Sequence, residues 1–535
     1  MNLKMKTSKL KRMLRASFGK VPDPYYFDGD MSYIRAYYDF RRDNGLDPFL
    51  IDEITWHDLD MDRVFKRINP KRCTSGEQYL YYMLRSPVLD AASYEQRKEL
   101  IHYAQADPER RLNVETILAR LGCTRRADLC RAFYPSEHGI GRLMLYLVCL
   151  LFFAAAVVWT ILDPGLGIRA VLLALFLNCF VHEFGKRRSQ RDYDTVNYVV
   201  NMVFAVKKLR KLRDAELDTH MQPAYESLDR LQAVIRTGGV STGMDSGGAG
   251  DVILTVTLLD LIAYEYLKNK LGRCHADVFT IHEYLGRLDA AISIASYRAS
   301  LAVYAEPVLD FDTEHGNYIR GENLLHPLLS DPVPNDCVTE RPVLITGSNA
   351  SGKSTYLKTV ALAAIMAQSI CTVLAKTYEG KAFRVFSSMA LQDDLLAGES
   401  YYIVETRSLK RILDAAKENR SILCVVDEVL RGTNTVERIA ASSEVLQAMA
   451  DAGLLCLAAT HDIELCDLLK GCYGMVHFEE QVGEKEMLFD YVMREGKATS
   501  RNAINLLQLI GFDQKIVDNA HKKASGYLET GTWKV

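Results

Sequence analysis

The spacing of apolar positions changes along the chain, and the changes divide it. Up to about residue 135, apolar residues recur at helical spacing between charged ones. After a turn at Pro70-Lys71 comes TSGEQYLYYMLRSP, where Thr74 or Ser75 is placed to cap a helix starting near Gly76 and Glu77 complements its first turn. Tyr79, Leu80, Met83 and Leu84 share one face of that helix, the pattern of a core helix. From Leu143 to Leu162 the period disappears, leaving an uncharged run of about 20 residues. As a helix it would be about 30 Å long, the thickness of a bilayer core. Asp163-Pro164-Gly165 makes a turn, and a second apolar run from Leu166 to Val181 follows, interrupted only by Arg169 near Trp159. Arg169 can snorkel and Trp159 can anchor at the same interface. Arg142 precedes the first run, and Lys186, Arg187, Arg188 and Arg191 follow the second. The pattern predicts a hairpin crossing a lipid bilayer twice, with both termini and everything outside it on the cytoplasmic side. The competing reading is a helical hairpin buried in a large soluble core.

Helical spacing returns from 190 to 320. Lys207, Lys208, Arg210 and Lys211 form either a face for phosphate or plain juxtamembrane charge. Thr237 to Gly250 is rich in Gly and Ser and predicts a loop. Residues 251 to 270 resume a helix, and Ile281 to Tyr304 is a longer one with many small residues, suited to close packing. Beyond 326 the pattern changes again. Pro342–Thr346, Ser421–Val426 and Leu455–Thr460 are short apolar runs, the signature of strands buried on both faces of a parallel sheet.

Composition adds limits. The chain has 535 residues, 48% of them hydrophobic, enough for several cores. A formal net charge of -3 excludes a globally cationic, non-specific nucleic-acid binder and leaves local patches open. The 12 cysteines are scattered without a C-x-x-C pair, and Cys466 and Cys472 lack a second pair or a histidine cluster. This predicts neither a zinc site nor a disulfide framework, and it suits a reduced compartment. The basic N-terminus has no apolar h-region after it and reads as an amphipathic arm rather than a secretory signal.

The chemistry sits in the last third. Gly347-Ser348-Asn349-Ala350-Ser351-Gly352-Lys353-Ser354 is a full G-x-x-x-x-G-K-[ST] pattern, between a predicted strand and a helix from about Thr355 to Ser369. Such a loop wraps phosphates with backbone N–H groups and a helix N-terminus. Lys353 is placed for the β- and γ-phosphates and the Ser354 hydroxyl for magnesium. The strand at 421–426 runs into Asp427-Glu428, a second magnesium ligand and a residue to activate or orient the attacking water. The strand at 455–460 ends in His461, which senses the γ-phosphate or polarises water; a purely structural histidine is the alternative. No N-K-x-D segment follows, so ATP is favoured over GTP, and the reaction is phosphoryl transfer to water.

At these residues the chain resembles the ATPase domain of the MutS family of DNA mismatch-repair proteins, a branch of the ABC-type ATPases. Thr346-Gly347-Ser348-Asn349-Ala350-Ser351-Gly352-Lys353-Ser354-Thr355-Tyr356-Leu357 is similar to the family's T-G-P-N-M-x-G-K-S-T-Y-L, and Asp427-Glu428-Val429-Leu430-Arg431-Gly432-Thr433-Asn434-Thr435 to its D-E-I-G-R-G-T-S-T. Ala459-Thr460-His461 matches its A-T-H, and Asp393 through Tyr402 resembles its D-D-L-x-x-G-x-S-T-F. His326-Pro327, Val333-Pro334-Asn335-Asp336, Glu495-Gly496 and Leu509-Ile510-Gly511-Phe512 fit in order. The resemblance covers about 320 to 520, extends more weakly over 50 to 100 and 281 to 320, and is absent from the apolar hairpin.

The resemblance implies an α/β P-loop NTPase domain preceded by an all-helical region that here carries a transmembrane hairpin. The division it suggests is 1–136, a core-like helical domain; 137–185, the hairpin; 186–320, a core and lever region; 321–495, the ATPase domain; and 496–535, a helical dimerisation element. It also implies a homodimer with composite sites, Ser400 of one subunit facing the other's nucleotide, and helical arms moved by ATP. Duplex or branched DNA is the partner it suggests, with the protein partner open. The family's F-x-E mismatch wedge has no match in these residues, and only about 130 residues separate hairpin from ATPase domain, which argues against mismatch reading. The remaining rivals are a tethered repair protein and an ATP-driven membrane coupler without a DNA role.

Overall fold

The computed structural model describes residues 5–22, 25–27, 29–125, 127–135, 141–237, 255–348, 351–389, 401–419, 421–431, 433–482, 487–497, 504, 507 and 510–530. The Gly/Ser-rich segment 238–250, residues Asn349 and Ala350, and the 390–400 segment with Ser400 lie outside them. The chain divides into two compact units. The first comprises Met1–Leu46, Lys66–Tyr82 and Glu99–Ser300; the second comprises Asp47–Phe65, Met83–Lys98 and Leu301–Val535. Two segments from the 1–136 region therefore belong with the C-terminal half.

The first unit is helical. The Thr74–Arg85 helix starts at Thr74 itself, with Glu77 in its first turn, buried and accepting a hydrogen bond from Asn69 at 3.1 Å. The long His275–Ser300 helix is buried over most of its length. Its Asp289 takes Arg72 Nε at 2.7 Å, and the same guanidinium donates to Glu115 at 2.9 Å and to Ser293 at 2.6 Å. A buried arginine with two carboxylates and a hydroxyl is a fully partnered charge cluster, which ties the segment before the Thr74–Arg85 helix to the Pro108–Leu121 and His275–Ser300 helices.

The apolar runs form helices Gly141–Leu162 and Pro164–Arg210, joined at Asp163. Asp163 accepts from Gly165 and Leu166 N–H at 3.0 and 3.2 Å, and Pro164 occupies the first helical position, where it loses no hydrogen bond. Gly141–Leu162 and Pro164–Gly185 are each long and apolar enough, by length and composition, to cross a membrane. Only 17% of each apolar window is buried. Leu151, Ile161, Leu172, Phe176 and Phe180 point outward.

Among the described residues the second unit holds ten strands. In chain order they are β1 (Val308–Asp310), β2 (Ile319–Leu324), β3 (Asn335–Thr339), β4 (Val343–Thr346), β5 (Thr377–Lys381), β6 (Arg384–Ser388), β7 (Ile422–Asp427), β8 (Leu455–Thr460), β9 (Gly474–Val482) and β10 (Met487–Glu495). A four-stranded sheet has the order β1-β5-β2-β3, and a six-stranded sheet the order β10-β9-β4-β8-β7-β6. In the larger sheet every pairing is parallel except β9 with β10. The β4, β7 and β8 runs read from sequence are its central strands, and β7 and β8 are buried at every residue.

Between β4 and β5 lies the Lys353–Ile370 helix, apolar on nearly all sides and buried accordingly. On it, Gln368 donates to Val88 O and Phe383 O and accepts from Phe383 N–H, so one amide joins the helix, the sheet and the Met83–Lys98 segment. Asp58, from the other early segment, accepts from Ser387 Oγ at 2.6 Å and Met389 N–H at 3.0 Å at the end of β6.

Candidate functional site

Three parallel strands end at one edge of the sheet. Thr346 is level with Thr460 across β4 and β8, and Asp427 is level with Ala459 across β7 and β8. The loop after β4, the Asp427-Glu428 pair and His461 therefore emerge side by side at the carboxyl edge, where open α/β sheets bind ligands. They border a cavity of about 610 Å³ whose lining includes Ser351, Lys353, Ser354, Glu428, Arg431 and His461.

The loop after β4 depends on its first glycine. Gly347 has φ 146°, and a Cβ there would lie 2.7 Å from Phe478 O, so a larger residue would push β4 from β9. Gly352, at φ 106°, caps the Lys353–Ile370 helix. The Lys353 side chain folds back over the loop: Nζ donates to Gly347 O at 2.9 Å and Ser348 O at 2.6 Å. Ser354 and Thr355 are exposed at the mouth of the helix, with unpaired N–H groups expected in the first turn. Ser351 Oγ is buried and has no hydrogen-bond partner among the described residues, although it lines the cavity. A buried hydroxyl is costly to leave unpaired, so this one suits a ligand acceptor.

Glu428 lies at the centre of the opposite wall. His461 Nε2 is 2.7 Å from its Oε1, and Arg431 Nε pairs with Oε2. Lys353 Nζ is 3.5 Å from the same His461 nitrogen. One nitrogen cannot donate to Glu428 and accept from Lys353, and the shorter contact decides: Nε2 carries the proton toward Glu428. Burial works against the Glu428 charge, but the His461 hydrogen bond with the Arg431 and Lys353 charges outweighs it, and the carboxyl titrates below its ordinary range. His461 is held through the next residue, since Arg438 grips Asp462 with two bonds of 3.0 and 2.6 Å.

Asp427 ends β7, largely buried, and is not among the residues that line the cavity. Asn349, Ala350 and Ser400 lie outside the described residues. The remaining predicted residues converge on this one edge, with Gly347 and Ser348 holding Lys353 rather than facing the cavity.

Other residues of the cavity were not assigned to the site from sequence, although His326 and Asn335 stand in segments that the resemblance includes. Phe478 and Tyr491, on β9 and β10, line the cavity, as does Asn335, which donates to Tyr491 O at 2.9 Å. His326 lines it too; burial, with Lys358 nearby, pushes its pKa down to about 4, so it is neutral at physiological pH. Glu405, on the Tyr401–Ala416 helix, accepts from the N–H of Leu430 at 2.5 Å and of Arg431 at 3.2 Å. Its legible signal was a position. Glu405, Ser408, Leu409 and Ile412 share one helix face, and Glu405 is the charged residue on that buried stripe.

Residues 343–527 match the family model described as MutS domain V. The chain is 34% identical over 249 residues to the DNA mismatch repair protein MutS 2 of Halobacterium salinarum, covering 44% of this chain and 28% of that protein. It is 33% identical over 259 residues to the DNA mismatch repair protein MutS of Natronomonas pharaonis, covering 46% of this chain and 29% of that protein. A longer similarity, 27% over 529 residues, joins it to the MutS 2 protein of Haloarcula marismortui, covering 85% of this chain and 54% of that protein. The matches thus span between about a quarter and about half the length of these relatives.

Proposed function

From a C-terminal domain homologous to MutS domain V, we propose that this chain binds ATP at the carboxyl edge of the larger sheet and hydrolyses it to ADP and phosphate. In this reading hydrolysis drives a conformational switch in a membrane-anchored homodimer. The observation that carries it is the meeting of Lys353, Glu428 and His461 at one cavity beside the Gly347–Ser354 loop. The unpaired Ser351 hydroxyl and the lysine aimed at the loop carbonyls fit a polyphosphate.

Lys353, the Ser351 hydroxyl and the amides from Ser351 to Thr355 bind the phosphates. Magnesium bound with the nucleotide would neutralise charge on the phosphate oxygens, and Ser354 and Asp427 are the residues that would hold it. Glu428 orients the attacking water. Its carboxyl stays ionised well below neutral pH, so as it stands it is a better hydrogen-bond acceptor than proton acceptor. His461 steadies that carboxylate and faces the γ-phosphate position.

The outward apolar faces of the two spans support a bilayer anchor, because a buried core hairpin would turn those faces inward. The basic flanks at Arg142 and at Lys186, Arg187, Arg188 and Arg191 support both termini on the cytoplasmic side. Exposed Ile510, Phe512, Ile516 and Tyr527 near and on the C-terminal helix support self-association. That Ser400 serves the partner's nucleotide rests on the family resemblance alone. Coupling to duplex or branched DNA rests on the similarity to proteins named for DNA mismatch repair.

The full chain in nanodiscs should hydrolyse ATP, and Lys353→Ala should abolish it. Glu428→Gln should lower kcat by about 10²- to 10⁴-fold while nucleotide still binds. A wild-type rate no higher than that of Lys353→Ala sinks the ATPase reading. Matched, mismatched and branched DNA are added at two salt concentrations. Stimulation that fades with salt supports phosphate contacts. A rate indifferent to every DNA moves the function to an ATP-driven membrane or protein coupler.

A further inference from the structure

The backbone that presents Glu428 is held in an unfavourable shape. Glu428 and Leu430 both have φ 58°, the left-handed region that side chains other than glycine avoid. Such a loop persists only if its surroundings over-determine it. Here Glu428 N–H donates to Ala459 O at 2.9 Å, and Val429 O accepts from Ser442 Oγ at 3.1 Å. The next two amides, of Leu430 and Arg431, both go to the Glu405 carboxylate. Leu430 is buried, so its N–H has no access to water as a substitute. Arg431, whose amide Glu405 holds, returns its own guanidinium to Glu428.

We propose that Glu405 is a positioning residue for hydrolysis: by holding the Leu430 and Arg431 amides it fixes the Glu428 carboxylate against His461 at the cavity. The proposal rests on the ATPase reading above. Glu405 does not itself line the cavity, so it acts through Glu428 and not on the nucleotide. It also makes the Tyr401–Ala416 helix and the Glu428 loop one mechanical element, since a shift of that helix moves both acceptor oxygens.

Glu405→Gln tests this in the full chain, because the amide keeps one acceptor oxygen and turns an N–H group toward the second backbone donor. The variant should lose about 10- to 100-fold in kcat, the scale of a misplacement near 1 Å, with KM for ATP close to wild type and only a modest drop in thermal midpoint from the amide left without its acceptor. Added to Glu428→Gln it should cost nothing further, since the group it positions is already gone. Glu405→Asp keeps the charge but is too short to reach both amides, and it should show the same split between kcat and KM if the glutamine variant folds poorly. Wild-type kcat in either folded variant overturns the proposal. So does a loss that multiplies with that of Glu428→Gln, or one that falls on KM. A wild-type chain no faster than Lys353→Ala overturns instead the ATPase reading beneath it.

Discussion

His282 is fully buried against the rings of Tyr37 and Phe133, with centroids 5.0 and 5.1 Å away, and neither ring nitrogen has a hydrogen-bond partner. Burial pushes its pKa down to about 3. The folded state keeps it neutral, while the unfolded chain protonates it near its ordinary pKa of about 6.5. Stability from this residue is therefore complete above about pH 6.5 and falls by roughly 1.4 kcal/mol per unit as pH drops toward 3. Thermal unfolding at pH 7.5 and 5.5 should show a smaller acid loss in His282→Phe than in wild type; equal losses would remove His282 as the cause. Nothing in the spacing of apolar residues marks this position. Lys353 and Ser354, in contrast, are legible because loop chemistry demands those residue types at that separation. The left-handed Glu428 and Leu430 are illegible for the opposite reason, since neither residue type advertises the conformation its partners impose.

At the scale of elements, the small residues of the 281–304 region acquire a specific use. A Cβ on Gly286 would overlap Tyr79 and stand 2.8 Å from Ser75 O, so the His275–Ser300 helix touches the Thr74–Arg85 helix at that glycine. Helix propensity alone predicts that Gly286→Ala gains up to about 1 kcal/mol. The crossing predicts a loss of about 1–3 kcal/mol, because the added methyl has no space. A lower midpoint of chemical denaturation supports the crossing, and a raised one rejects it. The sequence showed that these residues were small and helical. The element they had to approach was beyond its reach, because the contact joins positions roughly 200 residues apart.

At the scale of the molecule, the two apolar helices present the largest departure from an ordinary soluble protein. If they cross a bilayer, the full chain should stay in the membrane pellet after an alkaline carbonate wash and leave it only with detergent. Release by carbonate alone would return the hairpin to a docking role against another protein. Each of these helices is long and apolar enough to cross a membrane, with 17% of its apolar window buried.

The sequence by itself determined the elements whose chemistry is local. It predicts the uncharged runs, the strands β4, β7 and β8, and the glycine-lysine-serine loop between strand and helix, because period, run length and loop composition act over a few residues. Only the tertiary structure decided which distant groups meet. It assigned Asp47–Phe65 and Met83–Lys98 to the C-terminal unit, through Asp58 on Ser387 and Gln368 on Val88. It brought Glu405 under the Glu428 loop, and it buried the first-turn Glu77 against Asn69. Burial and partner choice depend on what the rest of the chain supplies, and a pattern read along one strand of sequence does not contain that information.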